Sequence, residues 1–114
     1  MNRINEIKID GNDLQAILEL KRELTKRFIN AEVVVYGSKA RGEAEPESDI
    51  DVLILLQDDV DDRLREEVFH LAYKIELIYE VVFGILVQSK SFWNSPRAKS
   101  MPIHHCIDKE GVAV

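Results

Sequence analysis

Two short runs of consecutive apolar residues constrain the fold most: Val33-Val34-Val35-Tyr36 and Val52-Leu53-Ile54-Leu55-Leu56. A strand with one wet face alternates apolar and polar residues. Unbroken apolar runs of this length mark strands covered on both faces instead. A small sheet with helices packed against it follows, an α/β (α+β) class. The length of 114 residues fits one such domain, spanning residues 1–114.

The helices can be placed from spacing. Leu14, Ile17, Leu18, Leu24 and Phe28 recur at helical intervals after Asn12 or Asp13, either of which can cap the start. This helix is expected to run to about Ile29, with Asn30 at its end. A second helix, capped by Asp61 or Asp62, has an apolar face of Leu64, Val68, Leu71, Ala72, Ile75 and Ile78. Strands are expected over Val33–Tyr36, Asp49–Leu56 and Val81–Val87. Ser89 can cap a turn bearing Phe92 and Trp93. Ser100, with Pro102 in the first turn, opens a last helix with Ile103, Cys106 and Ile107 on one side; Gly111 ends it. Three strands and at least two amphipathic helices make a small mixed sheet with flanking helices.

Charge narrows the partners. The net charge is −6, and residues 43–67 alone hold eleven acidic and two basic groups. Such a surface disfavours direct nucleic-acid binding, which releases counterions through basic contacts. It equally disfavours an anionic membrane. The lone Cys106 cannot form an internal disulfide. No apolar run reaches the ~20 residues of a spanning helix, and the N-terminal segment lacks the apolar core of a signal peptide. A cytoplasmic setting is the expectation.

The segment between the first two strands carries the chemistry. Gly37 stands where a strand stops, and Ser38 where a helical turn can begin; Gly42 and Pro46 punctuate the loop that follows. Glycine admits phosphate oxygens close to the backbone, and a turn start offers amide donors to an anion. Ser38 adds a hydroxyl, and Arg41 a planar cationic fork. Asp49 and Asp51 lie two apart, so on a strand their side chains leave the same face. Two such carboxylates can converge on magnesium, which prefers oxygen ligands and shares them with substrate phosphates.

The stretch VVVYGSKARGEAEPESDIDVLILL resembles the signature of the minimal nucleotidyltransferases of the DNA polymerase β superfamily. The element layout is similar too, over about residues 13–110. The resemblance implies a polymerase β palm-like nucleotidyltransferase fold. It implies that Gly37 and Ser38 cradle a nucleoside triphosphate, that Arg41 and Gly42 support the loop or a phosphate, and that Asp49 and Asp51 hold Mg2+. The family adds a third carboxylate on the next strand, usually Asp. The best match is Glu80, as metal ligand and base, with Glu76 a weaker substitute; glutamate here departs from the pattern. Stand-alone members are often paired with an all-helical partner, commonly of the HEPN type, in toxin–antitoxin pairs.

The implied activity is magnesium-dependent transfer of a nucleoside monophosphate, AMP from ATP, to a hydroxyl on a partner protein. The alternative is a catalytically weak or inactive nucleotide-binding protein that acts by masking its partner, a reading favoured by Glu80 in place of Asp. Oligomerisation stays open. The other conspicuous residues read as structure. His104 and His105 are adjacent and diverge on a helix, so they do not chelate one ion. His70 is a boundary residue, Cys106 a buried thiol, Phe92 and Trp93 a satellite core, and Asp58–Asp62 a solvated turn and cap.

Overall fold

The computed structural model describes residues 2–4, 8–43, 45 and 47–114; Pro46 lies outside them. The chain runs β1 (Asn2–Arg3), α1 (Gly11–Arg27), β2 (Glu32–Tyr36), α2 (Ser38–Arg41), β3 (Ile50–Leu56), α3 (Asp62–Tyr79) and β4 (Phe83–Ser89). It continues through α4 (Lys90–Trp93), α5 (Pro96–Lys99), α6 (Pro102–Glu110) and β5 (Val112–Ala113). The strands form one mixed sheet in the order β1-β5-β2-β3-β4. β2 and β3 pair antiparallel, with Tyr36 opposite Asp51. β3 and β4 pair parallel, with Asp51 opposite Gly84.

The continuous apolar runs do sit between two layers. Val33, Val35, Val52, Ile54 and Leu56 pack with Ile17, Leu20 and Leu24 of α1 and Val68, Ala72 and Ile75 of α3. The alternate residues Val34, Leu53 and Leu55 face the other way, onto Trp93 of α4 and Ile107 of α6. Asp51 shares the parity of Leu53 and Leu55, so it belongs to the α6 side of the sheet. No helix among the described residues is long and apolar enough to cross a membrane.

Several boundaries differ from the sequence reading. The cap of α1 is Asp10, whose carboxylate accepts from the amides of Asn12 and Asp13 at 3.1 and 3.4 Å. Asp13 is instead buried inside the first turn, where it forms a 2.7 Å ion pair with Lys39. The helix ends at Arg27, leaving Ile29 exposed. Asp61 does cap α3, accepting from the Leu64 amide at 2.8 Å. The apolar face of α3 is narrower than its spacing suggests, since Ile78 is exposed.

Ser89 caps α4 as expected, at 3.1 Å from the Phe92 amide. The extra helix α5, capped by Ser95, precedes α6, and Met101 rather than Ser100 stands at the start of α6. The buried face of α6 is His104 and Ile107, whereas Cys106 is exposed. Trp93 stacks on His104, with ring centroids 4.3 Å apart, and that turns Cys106 outward. The Nε2–H of His104 donates to the Trp93 carbonyl at 2.9 Å and its Nδ1 stands 3.2 Å from Asp108 Oδ2, so both nitrogens of this buried imidazole have polar partners. His70 is exposed. Strands β1 and β5, two residues each, lie outside the three expected ones.

Candidate nucleotide site

The site forms where β2 stops and β3 starts. Tyr36 ends β2 beside Asp51, and the chain turns at Gly37 with φ 77° and ψ −156°. That conformation is accessible to glycine and strained for any L residue. Ser38 to Arg41 then make a single turn, closed by the Arg41 amide donating to the Gly37 carbonyl at 3.1 Å. Gly42 ends it in the left-handed region with φ 72°. So Gly37, Ser38, Arg41 and Gly42, all singled out by sequence, lie on one short turn at the end of the central strand β2. Ser38 opens the turn, so its amide has no intrahelical acceptor.

Asp51 sits deeper than Asp49. Asp49 is exposed just before β3, while Asp51 is half-buried in it. A methyl group at Gly37 would stand 2.5 Å from Asp51 Oδ2, and one at Gly84 would stand 2.7 Å from Oδ1. The carboxylate therefore occupies space that two glycines, one after β2 and one on β4, leave clear. Burial, together with the charge of Asp49, pushes the Asp51 carboxyl above the usual carboxylate value, and Arg41 only partly opposes this. Two unneutralised acids on one strand end are the donor chemistry of a hard divalent cation. The donor chemistry of Asp49 and Asp51 is thus of the kind that would suit such an ion.

Glu80 is placed elsewhere. It is the C-cap of α3 in a left-handed conformation with φ 55°, exposed and ahead of β4. Among the described residues no three His, Cys, Asp or Glu side chains converge on a metal-sized site. The β4 residue in register with Asp51 is Gly84. Glu76 is already used: its Oε2 accepts from the Phe83 amide at 2.8 Å and pins the start of β4.

Two residues that sequence reasoning missed hold the turn. Lys39, buried, extends to Asp13 of α1 at 2.7 Å and to the Glu45 carbonyl at 3.3 Å. Glu110, the last residue of α6, accepts from the Gly37 amide at 3.1 Å and from Arg41 Nη1 at 2.9 Å. Beside them a cavity of about 540 Å³ is lined by Arg41, Pro102, His105, Cys106, Lys109 and Glu110. A larger cavity of about 630 Å³ lies between α1 and α3, on the face of the sheet away from Asp51.

A mixed sheet that carries a Gly-Ser turn and an Asp-x-Asp strand on adjacent antiparallel strands defines a nucleotidyltransferase-type scaffold. The sequence comparisons agree. Residues 17–100 match the model of the nucleotidyltransferase domain family, and the chain belongs to that family. The Methanocaldococcus jannaschii protein named "Putative protein adenylyltransferase MJ0141" is 28% identical over 95 residues, covering 83% of this chain and 88% of that protein. A second protein of that organism, "Putative protein adenylyltransferase MJ0604", is 34% identical over 85 residues, covering 73% of this chain and 80% of the relative. Two crystal structures share the fold at 17% identity. The first, a toxin–antitoxin with AMP-PNP, gives a TM-score of 0.58 over 91% of this chain and 72% of that one. The second, a mutant of the toxin–antitoxin MntA-HpeT, gives 0.55 over 94% and 72%.

Proposed function

We propose that this nucleotidyltransferase binds ATP with Mg2+ and transfers AMP to a hydroxyl of a partner protein. The observation that carries the proposal is the Asp51 carboxylate, held half-buried beside Asp49 at the end of the Gly-Ser turn. When bound, the cation supplies charge stabilisation to the α-phosphate during in-line displacement, with pyrophosphate leaving. Asp49 and Asp51 would hold the cation by their carboxylates. Gly37 lets the backbone approach a phosphate closely, and Ser38 donates its amide and hydroxyl. Arg41, braced between two carboxylates, keeps the turn in shape and limits the negative charge that a triphosphate meets. Two relatives named as protein adenylyltransferases support a protein acceptor, and two neighbours in toxin–antitoxin complexes support a toxin-like partner. An all-helical HEPN-type partner is the form the family resemblance suggests.

One observation favours the second reading, a weakly active or inactive protein that masks its partner: Gly84, not a carboxylate, faces Asp51 from β4. A single experiment separates the two. The chain and its partner are incubated with α-labelled ATP and Mg2+. Label on the partner, lost in Asp51→Asn, supports transfer. Neutralisation of the partner without label, undiminished in Asp49→Asn/Asp51→Asn, supports masking and overturns transfer.

A further inference from the structure

The end of α6 holds the strongest unassigned feature. Glu110 is the last residue of that helix, its side chain one-fifth exposed. Its Oε1 accepts from the Gly37 amide at 3.1 Å and from Cys106 Sγ at 3.2 Å, and its Oε2 accepts from Arg41 Nη1 at 2.9 Å. Gly37 and Arg41 are the two ends of one turn, joined by their own backbone hydrogen bond. One carboxylate therefore grips both ends of the turn that carries Ser38. We propose that Glu110 is a positioning residue of the nucleotide cradle, setting the Gly-Ser turn against Asp51; this rests on the nucleotide reading above.

Three points support this role over its rivals. Both Glu110 oxygens are already engaged by donors, so the side chain is not a substitute for a third metal carboxylate. Arg41 also contacts Glu43 at 3.2 Å, but Glu43 is 71% exposed, and solvent and salt weaken that contact. The Glu110 contact is shorter and far less exposed, so it fixes the guanidinium. Glu110 is also held in its charged form: the Arg41 bond first, then Cys106 and the Gly37 amide, pull its carboxyl below the usual value. The brace reaches from α6 to the end of β2 and links Ile107 packing to the geometry at Gly37.

The test is MgATP binding by calorimetry for wild type, Glu110→Ala and Glu110→Gln, with thermal melts in parallel. Hydrogen bonds to charged groups are the stronger class, so loss of both contacts should weaken MgATP binding by about tenfold or more in Glu110→Ala. Glu110→Gln keeps an acceptor for Gly37 but removes the negative charge facing Arg41, so its loss should be about threefold. A purely stabilising role would lower the Tm and leave the affinity of folded protein unchanged. A folded Glu110→Ala with wild-type affinity overturns the inference. If Glu110→Ala does not fold, wild-type affinity in Glu110→Gln overturns it. If the wild-type chain itself binds no MgATP, the nucleotide reading falls and takes this inference with it.

An independent readout comes from Cys106, the chain's single cysteine. The Glu110 carboxylate, by hydrogen bond and charge, pushes the Cys106 thiol above its usual value. Alkylation by iodoacetamide at about pH 8 should accelerate in both variants, since more of the thiol is ionised. Equal rates in wild type and both variants overturn the contact.

Discussion

Replacing Gly84 by alanine should separate the stability of this protein from its chemistry. Gly84 lies beside Asp51 on the parallel neighbour strand, and its added Cβ would stand 2.7 Å from Asp51 Oδ1. Real contacts of this kind essentially never fall below 3.0 Å and become ordinary at 3.4 Å. The oxygen must therefore retreat by 0.3 to 0.7 Å, the gaps from 2.7 to those two distances. It can do so by turning, because it is the far end of a side chain, but Oδ2 already occupies the space beside Gly37 on the other flank, so the whole carboxylate must shift. The Gly84 backbone is not in the left-handed region, so alanine adds no torsional strain. Removing a glycine also restricts the unfolded chain, a gain of about 0.4–1 kcal/mol that offsets part of the repulsion. The Tm of Gly84→Ala should stay within about 5 °C of wild type, since roughly 1 kcal/mol moves it by that amount in a domain of this size.

The chemistry has no such offset. A misplacement of about 1 Å can cost about 100-fold in rate, so a shift of half that should cost about tenfold or more. The assay is label transfer from α-labelled ATP at saturating nucleotide, beside a thermal melt. Gly11→Ala is the control, because a Cβ at Gly11 meets nothing within 4 Å. Gly84→Ala with wild-type turnover would refute the placement of Asp51 as metal ligand. A Tm loss above about 10 °C would refute the claim that the clash falls on one movable side chain.

Gly37→Ala should behave differently, losing both stability and activity, because φ 77° adds strain to a 2.5 Å approach to Asp51 Oδ2; parallel melts and turnover show it. Lys39→Met leaves Asp13 buried without its counter-ion and should cost about 3–5 kcal/mol, read by urea unfolding; adding Asp13→Leu should recover most of it. Asp51→Asn should raise the Tm at about pH 7, with Mg2+ raising the Tm of wild type only. The sign follows from the raised folded-state pKa: protonated Asp51 carries no penalty at low pH, and stability is lost as pH rises through its titration. Glu110 has the opposite sign. Its carboxyl is lowered from 4.5, so its contribution is present above that pH and lost as pH falls through the lower folded value. The Tm gap between wild type and Glu110→Gln should therefore be open at neutral pH and close below pH 4.5.

What could be read in the sequence, and what could not, divides by the range of the interaction. The placement of Gly37 and Ser38 on a turn and of Asp51 on the adjoining strand was legible because turn and strand geometry act within a few residues, although β3 starts at Ile50, one residue after the expected Asp49. The strand cores were legible because an unbroken apolar run has no other stable placement. Asp13 misled because a carboxylate near a helix start is ordinarily a cap, and its partner Lys39 lies 26 residues away. Cys106 misled because helical spacing groups it with Ile103 and Ile107, while the stacking of Trp93 on His104 sets the actual rotation of α6. Glu80 stands closest in sequence to the third expected strand, but the chain first passes through a left-handed cap, and strand pairing delivers Gly84 to Asp51. Glu110 gave no local signal, since its role exists only once α6 crosses the sheet to meet Gly37, 73 residues earlier. The sharp motif alone is therefore incomplete as a site. The Gly-Ser turn and the Asp-x-Asp segment carry the proposed nucleotide and cation positions, whereas the contacts that hold the turn come from the Lys39–Asp13 pair and from Glu110. The first ties the turn to α1 and the second ties it to α6, so a substitution in either helix can alter the site without touching the motif.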